Sequence, residues 1–466
     1  MKIVIVGDGK VGFALSAQLS REGHDITVID NKRDVLGDSS ERLDVLAVHG
    51  NGASMKVQQE AGVGRSDLMI AATSSDEINI LCCIVAKKLG CKSTVARVRN
   101  PEYAEQLVLM QNELGLSMTI NPERATAFAA FDMLRFPSFL KTDSFAKGRA
   151  QIVEVKLPEN SPYAGKKLAE LYEMNRIRVL ICVVQRGEET FIPSGDFILR
   201  GGDKIYATAP AYNLDKLIRL LGVEARKVRD VLIIGGGRIA HYLAESLIRA
   251  AIGVKIIEQK AERCRELADA LPKAVIIRGD GTDQRVLLSE GIENTDAVVT
   301  LTNMDEENLI VSMYASFIGV KKVITKINRT EYGDVFADKG IDHVVSPKDL
   351  TVDTILQHVR SMNNAGPEAM LALHRLADGQ AEAMEFRALE GTKGLGRTLR
   401  EIRLKPNILI ATIHRRGSII IPKGDDCIEK GDNVFVVAAA KHKISEINDI
   451  FASDDDPLGD NGKSAI

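Results

Sequence analysis

The sequence opens with KIVIVGDGKVG (Lys2–Gly12), and a closely similar stretch, DVLIIGGGRIA (Asp230–Ala240), lies near the middle of the chain. Each stretch places an apolar run before closely spaced glycines, and the residues after the glycines have the spacing of an amphipathic helix. A strand, a glycine-rich turn and a helix in this order are typical of the first βαβ unit of a dinucleotide-binding domain. The sequence therefore predicts two dinucleotide-binding domains.

The similarity between the two halves continues beyond the glycine-rich stretches. HGNGASMKVQQEAGVGRSDLMIAATSSDEIN (His49–Asn79) aligns without a gap on RGDGTDQRVLLSEGIENTDAVVTLTNMDEEN (Arg278–Asn308). Farther on, IPSGDFILRGGDKIYATA (Ile192–Ala209) aligns on IPKGDDCIEKGDNVFVVA (Ile421–Ala438). Both alignments have the same offset of about 229 residues, which indicates tandem duplication of a unit of about 225 residues.

Each repeat has two parts with different patterns. In the first part, short apolar runs alternate with stretches of helical length, as in a parallel sheet covered by helices on both faces. The second part has several alternating strand patterns separated by Gly-Asp turns. The predicted fold class is α/β, with two Rossmann-like, doubly wound parallel-sheet domains, each followed by a small α+β domain. Helical patterns over Pro122–Pro137 and Pro347–Arg375 join the parts, and Asn363–Pro367 interrupts the second of these patterns.

These patterns also predict the domain boundaries. We expect nucleotide-binding domains at 1–140 and 228–375, and small α+β domains at 141–225 and 376–453. The remaining residues, 454–466, are acidic and contain glycine but almost nothing to bury, so we expect a disordered tail.

Composition limits the classes of function. The chain has 466 residues, a formal net charge of −3 and 45% hydrophobic residues, so it lacks the bulk charge that attracts nucleic acid or an anionic membrane. Its six cysteines form no C-x-x-C pair and lie mostly among apolar residues, as expected of reduced core residues in a cytosolic protein. We expect neither a secretory leader nor a membrane span.

Each glycine of the first stretch has a physical role in nucleotide binding. Gly7 permits a tight turn, Gly9 lets the backbone approach a pyrophosphate at the positive end of the helix, and Gly12 allows close packing of the helix on the strand. Asp30 ends the following strand, where its carboxylate would accept hydrogen bonds from a ribose diol and repel a 2′-phosphate. The first site therefore favours NAD or an adenosine nucleotide over NADP.

The second stretch has a similar set of residues. Gly235 and Gly237 match the first two glycines, Ala240 takes the third position, and Glu258 occupies the position of the ribose-binding acid. Alanine is tolerated at the third position, so a second nucleotide site is expected. The alternative is a degenerate structural repeat that only stacks on its twin.

A difference in charge separates the two halves. Arg97 and Arg99, in ARVRNPEY, would reach a bound phosphate chain if their strand ends at the carboxyl edge of the sheet. The matching positions in the second half are Lys326 and Asn328, so one cation is missing and a triphosphate should prefer the first site. Alternatively, these arginines are solvated or paired with acids.

A hydroxyl-rich segment follows the fourth predicted strand of each half. Thr73-Ser74-Ser75-Asp76-Glu77 lies beside the expected ligand crevice, and Thr302-Asn303-Met304-Asp305-Glu306 is its counterpart. The same residues suit a helix N-cap with acids in the first turn. The segment is therefore compatible with ligand contact, with capping, or with both.

The sequence offers no apparatus for catalysis. A dehydrogenase needs a proton donor beside the nicotinamide, and no candidate is found. The eight histidines are scattered, with none in an i, i+4 pair, so metal ligation is not expected. Two nucleotide folds without catalytic groups favour a sensor over the alternatives, an NAD-dependent oxidoreductase or a redox-sensing transcription factor. The sequence also lacks the basic recognition helix that a transcription factor would need.

The tandem pattern resembles the TrkA family of Trk potassium-uptake regulators, which carry two RCK (KTN) nucleotide-binding domains, each followed by an RCK C-terminal domain. GDGKVG with Asp30, TSSDEIN, ARVRNPEY and the Gly195-Asp196 and Gly202-Asp203 turns carry the resemblance, which extends from Lys2 to about Ile450.

The resemblance implies a non-enzymatic, cytosolic and peripheral subunit that forms a homotetrameric ring beneath a membrane potassium channel of the TrkH or TrkG type. It implies NAD(H) and ATP or ADP as ligands, with no role for nucleic acid. In the first site the residues it implies are Gly7, Asp8, Gly9, Lys10, Val11, Asp30, Asn51, Thr73, Ser74 and Arg97. In the second they are Gly235, Gly236, Gly237, Arg238, Ile239, Glu258, Asp280 and Thr302.

Overall fold

A computed structural model describes residues 1–111, 113–135, 141–145, 150–175, 179–209, 211–223, 228–328, 343–363, 370–442 and 444–452. The chain divides into two compact units. Unit 1 comprises Met1–Phe131 and Arg229–Leu356, and unit 2 comprises Asp132–Val228 and Gln357–Ile466. The tail expected at 454–466 lies outside the described residues.

The first domain of unit 1 is a six-stranded parallel sheet. Its strands are β1 (Lys2–Val6), β2 (Asp25–Asp30), β3 (Leu46–His49), β4 (Leu68–Ala71), β5 (Ser93–Arg97) and β6 (Met118–Ile120). Its helices are α1 (Lys10–Arg21), α2 (Arg33–Arg42), α3 (Met55–Glu60), α4 (Asp76–Leu89), α5 (Pro101–Met110) and α6 (Pro122–Arg135). The strand order is β3-β2-β1-β4-β5-β6, in which the order reverses between β1 and β4. Such a switch point is where doubly wound sheets bind ligands.

A small antiparallel module follows in unit 2. Its elements are β7 (Lys141–Phe145), β8 (Ala150–Lys156), α7 (Leu168–Asn175), β9 (Leu180–Arg186), β10 (Glu189–Phe191), β11 (Lys204–Ala209) and α8 (Ala211–Leu220). The strand order is β10-β9-β11-β8-β7. One face of this sheet packs against α7 and α8 through Leu171, Leu217 and other apolar side chains.

The second parallel-sheet domain of unit 1 repeats the first. Its strands are β12 (Asp230–Ile234), β13 (Gly253–Glu258), β14 (Val275–Arg278), β15 (Ala297–Thr300), β16 (Lys322–Lys326) and β17 (Val344–Val345). Its helices are α9 (Arg238–Arg249), α10 (Ala261–Ala270), α11 (Gln284–Ser289), α12 (Asp305–Phe317) and α13 (Pro347–Asn363). The order β14-β13-β12-β15-β16-β17 reproduces that of the first sheet.

The last module repeats the first antiparallel module. Its strands are β18 (Met370–Leu376), β19 (Ala381–Arg387), β20 (Ile408–Arg415), β21 (Ser418–Ile420) and β22 (Asn433–Ala439), in the order β18-β19-β22-β20-β21. The two antiparallel sheets share one apolar cluster within unit 2, which includes Cys182 and Tyr206 from the first sheet and Phe435 from the second. The predicted α/β fold class with tandem duplication is confirmed.

One helical prediction is wrong at its C-terminal end. We expected helix over Pro347–Arg375, but α13 ends at Asn363 and the residues from Met370 form β18, paired antiparallel with β19. The turn between these strands contains Asp378 at φ 54° and Gly379 at φ 86°. The apolar spacing of this short segment suits a helix or a strand, and pairing with a distant strand decides between them.

The Gly-Asp turns have a structural role. Gly202 has a φ of 81°. The next residue, Asp203, is buried and accepts two hydrogen bonds of 2.8 Å from the Arg186 guanidinium. In the last module, Asp432 accepts equivalent bonds of 2.9 and 2.8 Å from Arg415. A bidentate ion pair thus holds the turn to the neighbouring strand in each module.

The cysteines behave as expected of core residues. All six are free, and Cys82, Cys83, Cys91 and Cys182 are buried. Burial raises the pKa of Cys82 to about 12, which keeps its thiol protonated and unreactive near neutral pH.

Candidate functional site

The first glycine loop (Gly7–Gly12) connects β1 to α1. Gly7 has a φ of 95°, and a methyl group added there would lie 2.9 Å from the backbone nitrogen of Thr73. A methyl group at Gly12 would overlap the carbonyl oxygen of Gly7. The turn and the close helix packing therefore require glycine at the first and third positions, as the sequence predicted.

Gly9, the middle glycine, faces open space. It is the N-cap of α1, where no side chain caps the helix, and a methyl group added there would meet no atom within 4 Å. The positive end of α1 is thus uncovered at this point, so an anionic group fits beside the loop.

The second glycine loop (Gly235–Ala240) has the same construction. Gly235 has a φ of 97°, and Gly237 is the N-cap of α9, again with open space around it. Ala240 is fully buried, so this loop accommodates a methyl group at the third position. The structure retains the open middle glycine in both halves.

The two predicted ribose acids occupy matching positions. Asp30 accepts hydrogen bonds from the backbone nitrogens of Asp8 (2.7 Å) and Lys32 (2.9 Å). Glu258 accepts bonds of 2.8 Å from the backbone nitrogens of Gly236 and Lys260. Each carboxylate therefore braces its glycine loop, and it would serve a ribose from a fixed position.

Two buried asparagines, which sequence analysis did not identify as functional, fix the loops after β4 and β15. Asn79 accepts from the backbone nitrogen of Thr73 (2.8 Å) and donates to the carbonyl oxygen of Arg97 (2.8 Å). Asn308 makes the same bonds to Thr302 (2.8 Å) and Lys326 (3.0 Å). The signal available in the sequence was the alignment of Asn79 with Asn308 at the end of the block His49–Asn79.

The hydroxyl-rich segment of the first domain acts partly as a cap. Ser75 is the N-cap of α4, and its hydroxyl accepts from the backbone nitrogen of Ile78 at 3.2 Å. Thr73 donates its hydroxyl proton to Asn79 (2.7 Å), whereas Ser74 is exposed. In the second domain, Thr302 accepts from the backbone nitrogen of Met304 at 3.2 Å. The capping interpretation holds for Ser75.

Asn51 and Asp280 lie in the loops after β3 and β14. Each side chain accepts a 2.9 Å hydrogen bond from a backbone nitrogen two residues ahead, in a local turn. The glycines that follow them pack against strand side chains, since a methyl group at Gly52 or Gly281 would overlap Val6 or Ile234. These repeated Asn-Gly and Asp-Gly dipeptides thus form tight turns after β3 and β14.

Both glycine loops open onto one cavity of about 490 Å³ within unit 1, which we call the shared cavity. From the first domain it is lined by Gly9, Lys10, Val11, Arg97, Arg99 and Glu123 among others. From the second domain it is lined by Gly237, Arg238, Ile239, Lys326, Asn328 and Lys348 among others. Of its described lining residues, six are basic and one is acidic.

The first-domain arginines differ in their partners. Arg97 ends β5, and its Nε is buried with no hydrogen-bond partner in the part of the chain that the structure describes. Burial lowers the pKa of Arg97, and the neighbouring Arg99 lowers it further. Arg99 forms an ion pair with Glu123 (Nε to Oε1, 2.5 Å). A buried guanidinium nitrogen without an acceptor is suited to receive a phosphate oxygen.

Glu123 and Lys326 complete the charge pattern. Glu123 is 7% exposed, and none of the described residues forms a hydrogen bond with its Oε2. Lys326 ends β16, is 6% exposed and donates from Nζ to the carbonyl oxygen of Thr302 at 2.7 Å. Burial lowers the pKa of Lys326, against the opposite effect of Asp305 and Glu123. Sequence analysis noted Lys326 but did not foresee Glu123 or Lys348 here.

The structure brings together some predicted site residues and separates others. Gly9, Lys10, Val11 and Arg97 line the shared cavity with Gly237, Arg238 and Ile239. The other predicted residues do not line it: Gly7, Asp8, Asp30, Asn51, Thr73, Ser74, Gly235, Gly236, Glu258, Asp280 and Thr302. Asp30 instead ends β2, and Glu258 ends β13. The basic lining of the cavity suits phosphate groups.

The described part of the chain has neither a metal cluster nor a membrane span. Among these residues, no group of three or more His, Cys, Asp and Glu side chains is placed to hold a metal ion. No helix in the same residues is both long and apolar enough to cross a membrane.

Comparison with known proteins agrees with the duplication. The TrkA-N domain family matches residues 3–122 and 231–347, and the TrkA-C domain family matches residues 152–222 and 383–452. The Trk system potassium uptake protein TrkA homolog of Archaeoglobus fulgidus is 33% identical over 451 residues, 97% of this chain and 100% of that protein. TrkA of Halomonas elongata is 33% identical over 457 residues, 97% and 98% of the two chains.

Among solved structures, the GsuK channel bound to NAD has the same fold. It matches with a TM-score of 0.62 and 21% identity, over 94% of this chain and 77% of that chain. Family matches in all four domains and full-length relatives above 30% identity lead to one conclusion. The chain belongs to the TrkA family of the Trk potassium-uptake system, with its TrkA-N and TrkA-C domains in tandem.

Proposed function

We propose that this chain is a nucleotide-sensing regulatory subunit that gates a membrane potassium channel of the TrkH or TrkG type. The observation that carries the proposal is the shared cavity, where two open glycine loops and six basic side chains meet. Family membership supplies the link to potassium, since the relatives from Archaeoglobus fulgidus and Halomonas elongata bear the name of potassium uptake proteins.

The ligands we propose are NAD(H) and ATP or ADP. Support comes from the open N-termini of α1 and α9, the Arg97 Nε that has no hydrogen-bond partner among the described residues, and the name of the GsuK channel bound to NAD. Asp30 and Glu258 would each accept hydrogen bonds from a ribose diol, and both would repel a 2′-phosphate. The bound nucleotide would supply negative charge and binding energy rather than chemistry.

The proposed contact residues follow the two halves of the chain. The first site comprises Gly7–Val11, Asp30, Asn51, Thr73, Ser74 and Arg97. The second site comprises Gly235–Ile239, Glu258, Asp280 and Thr302. The division into domains at 1–140, 141–225, 228–375 and 376–453 also stays a prediction. Its boundary between residues 375 and 376 falls one residue before the end of β18.

A switching contact lies within the shared cavity. Arg99 is held by Glu123, the second residue of α6, and Glu123 therefore competes with any bound phosphate for Arg99. Helix α6 contains Phe131, where the first segment of unit 1 ends, and Asp132, where unit 2 begins. A change in the Arg99–Glu123 pair would thus act on a helix that continues from one unit into the other, as a regulatory protein requires.

We further propose a homotetramer, held at the inner face of the cell membrane by its channel partner, with no catalytic activity and no nucleic-acid ligand. The support is the family resemblance and, in the described residues, a shared cavity that has no histidine or cysteine in its lining. Sedimentation equilibrium of the purified chain tests the tetramer.

The experiment that tests the function is genetic and biochemical. A host that lacks this protein, and has no redundant uptake system, should grow poorly at low external potassium, and the intact gene should restore growth. Normal growth of the deleted strain would contradict potassium regulation. NADH incubated with the purified chain and small carbonyl substrates should remain unoxidised, because steady turnover would favour the oxidoreductase alternative.

A further inference from the structure

Four helices begin at the shared cavity. The first residues of α1 and α9 line it beside the glycine loops, and those of α6 and α13 line it through Glu123 and Lys348. Each helix has at least 12 residues, so each N-terminus carries the partial positive charge of a full-length helix. The cavity is therefore a common positive centre for both nucleotide sites.

The side chains add to this positive charge. Six basic residues face one carboxylate, that of Glu123, so the formal charge of the lining is about +5. The Nε of Arg97 is buried with no hydrogen-bond partner among the described residues, so this donor has unused hydrogen-bonding capacity. Lys10 and Arg238 are exposed at the two glycine loops, one on each side.

Two separate triphosphates would place more negative charge in the cavity than one linked phosphate chain does. Each would bring about 3.5 to 4 negative charges, so the pair would place about seven or eight in one cavity. A single chain of four phosphates, linked at both ends, carries about four negative charges. The volume of about 490 Å³ lies within the range of sites that hold a complete small molecule.

We propose that the shared cavity binds the phosphate chain of a dinucleoside polyphosphate, with one adenosine in each half of the duplication. Asp30 would hold one ribose and Glu258 the other, and the phosphates would run between the two glycine loops. This inference rests on the proposed nucleotide binding at both halves. Linking the two nucleosides makes the second contact intramolecular, which raises affinity well above that of either mononucleotide.

Titration calorimetry of the full-length chain tests the inference, with diadenosine tetraphosphate as the probe and ATP as the reference. We expect one tetraphosphate per chain, bound at least about a hundredfold more tightly than ATP. We expect two ATP per chain. Diadenosine diphosphate, whose phosphate chain is shorter, should lose most of the advantage.

Variants on the two sides separate the possible outcomes. Lys10→Ala and Arg238→Ala change exposed side chains, so folding should be preserved, and each should weaken tetraphosphate binding. Lys92→Ala is the matched control, because Lys92 forms a surface ion pair with Asp67 and does not line the cavity. Glu258→Ala should also weaken tetraphosphate binding, although it leaves the first ATP site intact.

Two results would overturn the inference without touching the proposed function. One is a stoichiometry of two tetraphosphates per chain with the affinity of ATP. The other is tetraphosphate binding that loses strength in Lys10→Ala but not in Arg238→Ala or Glu258→Ala. Failure of both ATP and the tetraphosphate to bind would instead refute the proposed nucleotide sites themselves.

Discussion

Arg97 and Lys326 end equivalent strands of the two parallel sheets, and both side chains line the same cavity. Their backbone carbonyl oxygens accept hydrogen bonds from Asn79 and Asn308, which are themselves equivalent. Duplication has thus placed one cation from each half around a single space. This arrangement means that a ligand in one half is within the electrostatic influence of the other.

Removing either cation should weaken triphosphate binding. We expect Arg97→Ala and Lys326→Ala each to raise the dissociation constant for ATP by about tenfold to a hundredfold, since a charge-assisted hydrogen bond contributes about 1.5–3 kcal/mol. Titration calorimetry of the purified chain measures the change. Lys92→Ala removes a cation paired with Asp67 on the surface and should leave the affinity unchanged. Equal affinity in all three variants would place the phosphates elsewhere.

Binding should also depend on pH through Lys326. Burial lowers the pKa of this lysine below its usual 10.5, and a phosphate in the cavity would raise it, so binding takes up protons. The affinity should therefore fall as the pH rises toward 10.5. Calorimetry in buffers of different ionisation enthalpy detects the proton uptake. In Lys326→Arg the group stays charged, and this part of the pH dependence should disappear.

Substitution of Gly12 should lower stability, whereas substitution of Gly9 should lower nucleotide affinity. Gly12→Ala should destabilise the chain by about 1–3 kcal/mol, because the added methyl group overlaps the Gly7 carbonyl oxygen. Gly9→Ala meets open space, so its unfolding free energy should change by no more than about 1 kcal/mol, while nucleotide affinity falls. Urea unfolding and calorimetry measure the two effects. A stable Gly9→Ala variant with unchanged affinity would remove this glycine from the site.

The buried Gly-Asp turn should matter for stability. Asp203 is 1% exposed and its partner Arg186 is 26% exposed, so Asp203→Asn should cost about 2–4 kcal/mol by leaving the guanidinium underpaired. Asp196→Asn is the matched control, since Asp196 lies in a neighbouring Gly-Asp turn with its side chain 79% exposed. That substitution should cost no more than about 1 kcal/mol. Similar costs in both variants, measured by urea unfolding, would contradict this role for the Asp203 pair.

Much of the fold could be predicted because its signals are local. The glycine spacing reflects local geometry, since Gly12 packs against the carbonyl oxygen of Gly7, and the duplication doubles such signals. The strand Met370–Leu376 was misassigned because its state depends on pairing with Ala381–Arg387, which no local pattern encodes. Where the local sequence suits a helix and a strand equally well, such pairing determines which of the two forms.

The site was predictable to a smaller extent. Sequence analysis selected Asp30 and Glu258, each 23 residues after the first glycine of its loop, and Arg97 from its position near the end of a predicted strand. The convergence of Lys326 and Glu123 on one cavity depends on how two domains of unit 1 pack, and long-range packing leaves no periodic trace in the sequence. Asn79 and Asn308 escaped notice because a buried asparagine looks like any polar residue near a helix start.

A crystal structure of the full-length chain with a non-hydrolysable ATP analogue is the most direct test of nucleotide sensing at the shared cavity. We predict that the phosphates lie in this cavity within about 3 Å of the Arg97 guanidinium, with the ribose against Asp30. Analogue bound at another surface, or no analogue in either half at a saturating concentration, would contradict it.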